Sequence, residues 1–182
     1  MNTAVTVFFL ILRVFSLYFL AVSLFGLCRR RTPEPAARLR RFAVLIAARN
    51  EESCIAGLIE SLRAQHYPPE LVDIWVLPNN CTDRTAEAAR RAGAQVLEMS
   101  ASVRSKGAAL HTAANVLLRS SRNYDAFCVF DADNEADPAF LSEMNRALDR
   151  TAIVKSRILA KNRTQAGISA CYEIYFCSAN HF

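Results

Sequence analysis

The longest apolar stretch of the chain runs from Val5 to Leu27, with only Arg13 and scattered Ser, Thr and Tyr residues inside it. Its 23 residues correspond to about 35 Å of α-helix, which is enough to cross a bilayer. A cleaved signal peptide is the alternative, but the stretch is long, lacks a basic leader and has no small-x-small site before Arg29. The pattern therefore predicts a transmembrane anchor over residues 1–28.

Beyond residue 41, short apolar runs alternate with amphipathic segments. This alternation, with short connections, predicts an α/β fold in which a mostly parallel sheet carries helices on both faces. The last apolar run, from Ala126 to Phe130, is rich in aromatic and β-branched residues and is predicted to be buried on both faces. Open sheets of this kind place their ligands at the carboxyl ends of the strands. Strands are predicted at 42–47, 72–77, 95–98 and 126–130, and helices at 52–65, 82–92 and 106–119.

The charged residues of the chain are informative mainly in the segment that follows the predicted anchor. The net charge is +5, and a basic linker over residues 29–41 accounts for it. By the positive-inside rule this flank stays in the cytoplasm, so the N-terminus is expected outside the inner membrane and the rest of the chain inside. The linker is also expected to contact anionic membrane lipids, and nothing in the sequence indicates a nucleic-acid surface. The basic residues are Arg29, Arg30, Arg31, Arg38, Arg40 and Arg41, against a single Glu34.

Arg13 is the one charged residue within the predicted anchor. A charge near the bilayer centre costs about 2.5 to 3.5 kcal/mol on insertion scales. Arg13 is therefore expected either to extend towards the headgroups or to face a partner transmembrane helix.

Two carboxylates, Asp131 and Asp133, follow the last predicted strand directly. In an extended chain they share a side, so both can reach one Mg²⁺ or Mn²⁺ ion whose other ligands are phosphates. A solvated turn that caps the next helix is the structural alternative. A calcium-binding loop is excluded, because its sixth position would be Ala136 and its twelfth Ser142. A phosphohydrolase that uses Asp131 as nucleophile is a further alternative, although the following residues do not fit it.

Four motifs occur in order along the chain. They are similar to those of the family 2 glycosyltransferases, particularly the membrane-bound branch of cellulose, chitin, hyaluronan and poly-N-acetylglucosamine synthases. The resemblance covers about residues 42–160 and implies a GT-A-like (Rossmann-like) domain over 42–182. It also implies inverting transfer of a hexose or N-acetylhexosamine from a UDP-sugar to a glycan or lipid-linked acceptor. The motifs are F-A-V-L-I-A-A-R-N-E-E, V-L-P-N-N-C-T-D-R-T-A, S-K-G-A-A-L and F-C-V-F-D-A-D.

The resemblance also assigns roles to single residues. Asn79 stands where the family usually carries an aspartate that reads the base, and Asn keeps a carbonyl acceptor but loses the charge. Lys106 is placed to approach the donor diphosphate, and a solvated lysine at a helix start is the alternative. Asp131 and Asp133 match the metal-binding D-x-D, where the metal and Lys106 would stabilise the leaving diphosphate. The loop expected to line the uracil and ribose consists of Ala47, Arg49, Asn50 and Glu51.

Other residues of these motifs have structural alternatives. A surface ion pair is the alternative for Arg49 and Glu51. Asp83 and Thr85 are expected to cap the following helix rather than to bind a ligand.

The general base that would activate the acceptor is not identified in the sequence. The family places it in an acidic motif downstream of the D-x-D, followed by Q-x-x-R-W, and neither is found before Phe182. Glu173 is a weak candidate. We therefore expect donor binding with little or no transfer by these 182 residues alone. The alternative function is a non-catalytic, membrane-anchored nucleotide-sugar-binding or assembly subunit.

Overall fold

The N-terminal part of the chain forms one long helix. The computed structural model describes residues 3–26, 36–156 and 158, and the chain divides into two compact units, Met1–Glu34 and Pro35–Phe182. In the first unit, α1 (Thr3–Gly26) includes a 20-residue segment, Val5–Leu24, with a mean hydropathy of 2.3. This helix is long and apolar enough to span a membrane, as the sequence predicts.

The second unit is built on a four-stranded sheet in the order β3-β2-β1-β4, in which every pair is parallel. The strands alternate with helices along the chain. The α/β fold predicted from the sequence is therefore confirmed. The strands are β1 (Phe42–Ala48), β2 (Val72–Pro78), β3 (Gln95–Val96) and β4 (Ala126–Asp131), and the helices are α2 (Ile55–Arg63), α3 (Thr85–Arg91), α4 (Lys106–Leu118) and α5 (Phe140–Ala147), with a 3₁₀ turn at Pro69–Leu71.

Strand β1 lies inside the sheet and separates two apolar clusters. Val44 and Ile46 pack on one face with residues of α2 and α3, whereas Ala43 and Leu45 pack on the other face with residues of α4. Side chains alternate between the faces of a strand, so a continuous apolar run is what a strand covered on both sides requires. The predicted helices on both faces are thus present.

The boundaries of several elements differ from those predicted, for local reasons. Helix α2 begins three residues later than the pattern indicates, because a turn precedes it in which the N–H of Ile55 donates to Glu51 O at 3.0 Å. Helix α3 begins at Thr85, and β3 has only two residues. Helix α5 and the 3₁₀ turn were not among the predicted elements.

The prediction that the last strand is buried on both faces is wrong. Within the described residues β4 pairs only with β1 and lies at the edge of the sheet. Val129 is 52% exposed, so the face of β4 that carries its side chain is not covered by the described residues. The apolar composition of β4 is the same for an edge strand and an inner one, so the pattern alone did not distinguish them.

The end of the predicted basic linker is part of the folded unit. The guanidinium of Arg40 donates to Asn145 O at 3.0 Å and to an oxygen of Asp149 at 2.7 Å, at the C-terminal end of α5. The hydroxyl of Tyr67 bridges the N–H and the carbonyl of the same arginine at 2.8 Å each. Asn145, which is 1% exposed, donates from Nδ2 to Arg38 O. The segment is therefore fixed against α5 by directed hydrogen bonds.

Asp125 holds the same segment and makes it sensitive to acid. The N–H of Arg41 donates to Asp125 Oδ2 at 2.8 Å, and Arg38 forms an ion pair with Oδ1 at 2.9 Å. The backbone hydrogen bond from Arg41, followed by the charge-assisted bond from Arg38, lowers the pKa of the Asp125 carboxyl. A lowered folded-state pKa stabilises the fold above the unfolded-state pKa of about 3.9.

We therefore expect Asp125→Asn to lower the free energy of unfolding more at pH 6 than at pH 3. The wild-type stabilisation from this carboxylate is lost as the pH falls through its folded-state pKa, so the two proteins converge there. Urea unfolding at both pH values measures the difference. A destabilisation of equal size at pH 6 and pH 3 would show that the charge of Asp125 is not responsible.

Candidate functional site

The carboxyl ends of three strands lie side by side. Ala47 is in register with Leu77 of β2 and with Asp131 of β4. Neighbouring strands are about 4.8 Å apart, so the loops after β1, β2 and β4 start within about 10 Å of one another. The polar residues that the sequence places after each strand therefore meet at one edge of the sheet.

Asp131 and Asp133 both extend away from the core at this edge. Strand β4 ends at Asp131, and a turn follows in which Asn134 donates its N–H to Asp131 O at 3.1 Å. Phe130 and Ala132 are buried, whereas the two aspartates between and after them are exposed. The alternation of buried and exposed side chains that is typical of a strand thus continues to Asp133, although β4 itself ends at Asp131.

Lys106 contacts the first aspartate of this pair, Asp131. Its Nζ forms an ion pair with Oδ1 of Asp131, and both side chains are about half exposed. Lys106 is the first residue of α4, which is capped by Ser105: the Ser105 hydroxyl accepts a hydrogen bond from Ala108 N at 3.1 Å. The capped helix start positions the ammonium group at the end of β4, 25 residues away in the sequence.

The aspartate pair suits a divalent cation that is completed by a ligand. Among the described residues no group of three or more His, Cys, Asp and Glu side chains is placed to hold a metal ion. Mg²⁺ and Mn²⁺ are commonly held by one or two carboxylates together with the phosphates of a substrate. Two exposed carboxylates beside a lysine match this arrangement, because the ion and the ammonium group can share one diphosphate.

The loop after β1 is held by the loop after β2. Asn50 has a left-handed backbone, with φ of 59°, and its Oδ1 accepts hydrogen bonds from Thr82 N at 2.8 Å and from the Thr82 hydroxyl at 3.3 Å. Its side-chain oxygen therefore joins the two loops. Arg49 is exposed, and Glu51 forms no ion pair with it within the described chain, so the surface ion pair weighed as an alternative is not present there.

Glu51 and Cys54 form a second contact within the loop after β1. The Cys54 thiol donates to a carboxylate oxygen of Glu51 at 3.0 Å. Burial, then the hydrogen bond and negative charge of Glu51, and then the charge of Asp133 raise the pKa of Cys54 to about 11. Cys54 therefore stays a neutral thiol at physiological pH, and the Glu51 carboxylate lies in the same electrostatic environment as the D-x-D.

Asp83 lies one residue before the N-cap of α3, which is Arg84 and makes no side-chain capping hydrogen bond, so the expected capping role is not observed. Its Oδ1 accepts from Thr85 N at 3.1 Å, and its Oδ2 accepts from Glu52 N at 3.1 Å in the other loop. Thr85, fully buried, accepts from Glu51 N at 2.9 Å. Hydrogen bonds, first among them the one from the Thr85 hydroxyl, lower the pKa of Asp83. The aspartate and threonine thus position the loop after β1, a role that sequence reasoning missed.

Asn79 and Asn80 complete the site at the end of β2. Asn79 is 9% exposed, and its N–H donates to Ala48 O at 3.0 Å. Asn80 has φ of 51°, and its Nδ2 donates both to Asn79 Oδ1 and to Val103 O, at 2.9 Å each. Sequence reasoning did not assign a role to Asn80. The only sequence signal for it is the tolerance of Asn for left-handed backbone.

Comparison with known proteins identifies the family. The sequence profile described as "Glycosyl transferase family 2" matches residues 43–174, which include β2, β3, β4, the D-x-D and all of β1 except Phe42. This chain belongs to glycosyltransferase family 2. The family 2 assignment agrees with the motif resemblance, whereas the polysaccharide-synthase branch remains a prediction.

Two curated relatives of this family 2 chain are glycolipid synthases. The beta-monoglucosyldiacylglycerol synthase of Synechocystis sp. is 30% identical over 92 residues, which cover 50% of this chain and 19% of that protein. The Nostoc sp. protein of the same name is 40% identical over 43 residues, or 24% and 9% of the two chains. The chain thus spans a small part of the length of these relatives.

Solved structures confirm the GT-A-like fold. The mannosyltransferase PcManGT from Pyrobaculum calidifontis, solved with GDP-Man and Mn²⁺, matches with a TM-score of 0.60 and 22% identity over 74% of this chain and 40% of its own. S. aureus TarS matches with a TM-score of 0.51 and 20% identity over 60% and 32% of the two chains. At these identities the matches show the shared fold.

Proposed function

We propose that this chain forms the donor-binding part of a membrane-anchored glycosyltransferase that uses a UDP-sugar and Mg²⁺ or Mn²⁺. The observation that carries the proposal is the assembly of Asp131, Asp133 and Lys106 at the carboxyl edge of the sheet. Two anionic groups and one cationic group at this edge suit a diphosphate bridged by a divalent ion. The family membership of the chain supports the same chemistry.

The other residues of the edge suit the nucleoside. The distance from Asp131 across β1 to Asn79 corresponds to two strand spacings, or about 10 Å. This distance is close to the reach of a nucleoside from its phosphate. Asn79 and Ala47 are uncharged and partly or fully buried, as an aromatic base requires. Arg49 and Glu51, at the end of β1 between these positions, are placed for the ribose.

In this arrangement the protein acts mainly by electrostatics. The nucleoside diphosphate gains negative charge as its bond to the sugar breaks, and Lys106 stabilises that charge. A bound divalent ion supplies further positive charge at the same phosphates. Inversion at the sugar also requires a base for the acceptor hydroxyl. Glu173, the weak candidate for that base, lies outside the described residues.

The membrane helix and the relatives support a membrane-associated acceptor. Helix α1 would anchor the domain at the cytoplasmic face of the inner membrane, with the N-terminus outside. The two relatives are named for a glucosyl diacylglycerol product. A lipid or lipid-linked glycan is therefore the proposed acceptor, and a hexose or N-acetylhexosamine the proposed sugar. Arg13, within α1, would then face a partner helix or extend towards anionic headgroups.

Calorimetric titration tests the donor site directly. The whole chain in detergent micelles is titrated with UDP, UDP-glucose and UDP-N-acetylglucosamine, with and without Mn²⁺. We expect binding that depends on the metal, and the absence of such binding would refute the proposal.

A parallel assay with radiolabelled donor and membrane lipid separates the two functions that remain. Metal-dependent binding with transfer indicates an enzyme. Metal-dependent binding without transfer indicates a nucleotide-sugar-binding or assembly subunit. One observation favours this alternative: the residues gathered in the described site all belong to the donor side. Trapping of a phosphorylated Asp131 would instead indicate a phosphohydrolase.

A further inference from the structure

The orientation of the Asn79 carboxamide follows from its hydrogen bonds. Val103 O is a backbone carbonyl and can only accept, so the Asn80 atom 2.9 Å from it must be the amino group. The same amino group lies 2.9 Å from the Asn79 side chain, and the Asn79 atom that faces it must therefore be the carbonyl oxygen. The chain of donors and acceptors thus leaves one consistent orientation for both carboxamides.

The amino group of Asn79 is consequently the part that can face a ligand. It makes no hydrogen bond to the described residues. It is not fully buried either, because among the described residues the one fully buried side-chain nitrogen or oxygen without a hydrogen bond is Arg146 Nε. The Asn79 amino group therefore reaches solvent. It offers two N–H donors and no acceptor at the end of β2, where the proposed function places the base.

We infer that Asn80 is a positioning residue that fixes Asn79 as a hydrogen-bond donor and so makes the site select the uracil ring by its O4 carbonyl. This inference rests on the proposed function, since it requires the nucleotide to bind at this edge. A fixed donor favours uracil over cytosine at that ring position, because cytosine presents an amino group there and leaves two donors opposed. Asn80 acts without touching the base itself.

The backbone of Asn80 allows a clean test. Its φ of 51° is left-handed, a conformation that glycine adopts readily. Asn80→Gly thus removes the side chain without straining the loop, and the Asn79 carboxamide becomes free to rotate by 180°. Asn80→Asp goes further: a carboxylate can only accept, so the Asn79 amino group turns towards it and the carbonyl turns towards the base.

Asn123→Gly is the matched control, because Asn123 is also left-handed, with φ of 48°, and precedes β4 at its other end.

The measurement is the ratio of the dissociation constants of CDP and UDP, by calorimetry with Mn²⁺ on the whole chain. We expect a ratio of about 10 or more in the wild type and in Asn123→Gly, which corresponds to about 1.4 kcal/mol or more, because two opposed donors leave a hydrogen bond unmade. The ratio should fall below about 3 in Asn80→Gly and to about 1 or less in Asn80→Asp, by the same estimate. A merely structural role of Asn80 would weaken both nucleotides equally and leave the ratio unchanged.

Three outcomes would overturn the inference. They are equal affinity of the wild type for the two nucleotides, a preference of the wild type for CDP, and an unchanged ratio in both Asn80 variants. In the first and third cases metal-dependent binding of UDP leaves the proposed function standing. A preference for CDP would keep the metal-dependent donor site but overturn its assignment to a UDP-sugar. If neither nucleotide binds to the wild type, the proposed function fails, and this inference fails with it.

Discussion

Asp133→Asn is expected to weaken metal-dependent binding of UDP by about 100-fold or more, which corresponds to about 2.8 kcal/mol. The D-x-D supplies two carboxylates, and no group of three potential ligands is found within the described residues. Loss of one of two charged ligands leaves a single carboxylate, Asp131, which also pairs with Lys106. Calorimetry with and without Mn²⁺ measures the loss, and binding measured without metal should change little.

Glu143→Gln is the matched control for this experiment. It removes one carboxylate charge from α5, where Glu143 pairs with Arg146 on the same helix. We expect its affinity for UDP with Mn²⁺ to equal that of the wild type. If Asp133→Asn binds the metal-nucleotide complex as tightly as Glu143→Gln does, the D-x-D is not the metal site.

Asp73→Ala is expected to lower the free energy of unfolding by about 2 to 3 kcal/mol. The carboxylate is almost buried at the start of β2 and accepts from the Tyr124 hydroxyl at 2.9 Å, from Gln95 Nε2 at 3.2 Å and from Arg122. Breaking a buried pair usually costs about 3 to 5 kcal/mol. The value here is smaller because Arg122 is half exposed and regains water. A shift of this size lowers the melting temperature by about 5 to 10 °C.

The exposed ion pair between Arg90 and Glu98 provides the comparison for this change. Glu98→Ala removes a partner that is solvated, so it should cost less than about 1 kcal/mol. Thermal unfolding followed by circular dichroism compares the two variants. Asp73 lies at the amino end of β2, opposite the candidate site, so Asp73→Ala molecules that remain folded should bind UDP with wild-type affinity. Equal melting temperatures for the two variants would show that the Asp73 cluster does not stabilise the fold.

Local periodicity was sufficient to find most of the elements. The strands at Phe42 and Val72 and the helix starting at Lys106 lie within one or two residues of their predicted positions, because apolar runs and a serine cap are signals within a few residues. The long apolar helix at the N-terminus was evident for the same reason. Helix α5 was missed although its apolar residues, Phe140, Leu141, Met144 and Leu148, have helical spacing and lie in one apolar cluster. Strand β3 has only two residues and was predicted too long.

The family, the α/β alternation, the apolar N-terminal helix and the identity of the D-x-D and Lys106 could all be recognised from the order of the residues. Each of these features depends on residues that are close together in the sequence, so a short stretch is enough to recognise it. The folded structure was needed to show that β4 lies at the edge of the sheet formed by the described residues and that Lys106 contacts Asp131. It alone showed that Asn50 binds Thr82 and that Asn80 orients Asn79. These arrangements depend on which strands are neighbours and on where each loop's donors and acceptors find partners. Residue periodicity carries no information about such distant pairings, and hydrogen bonds between the folded loops determine them.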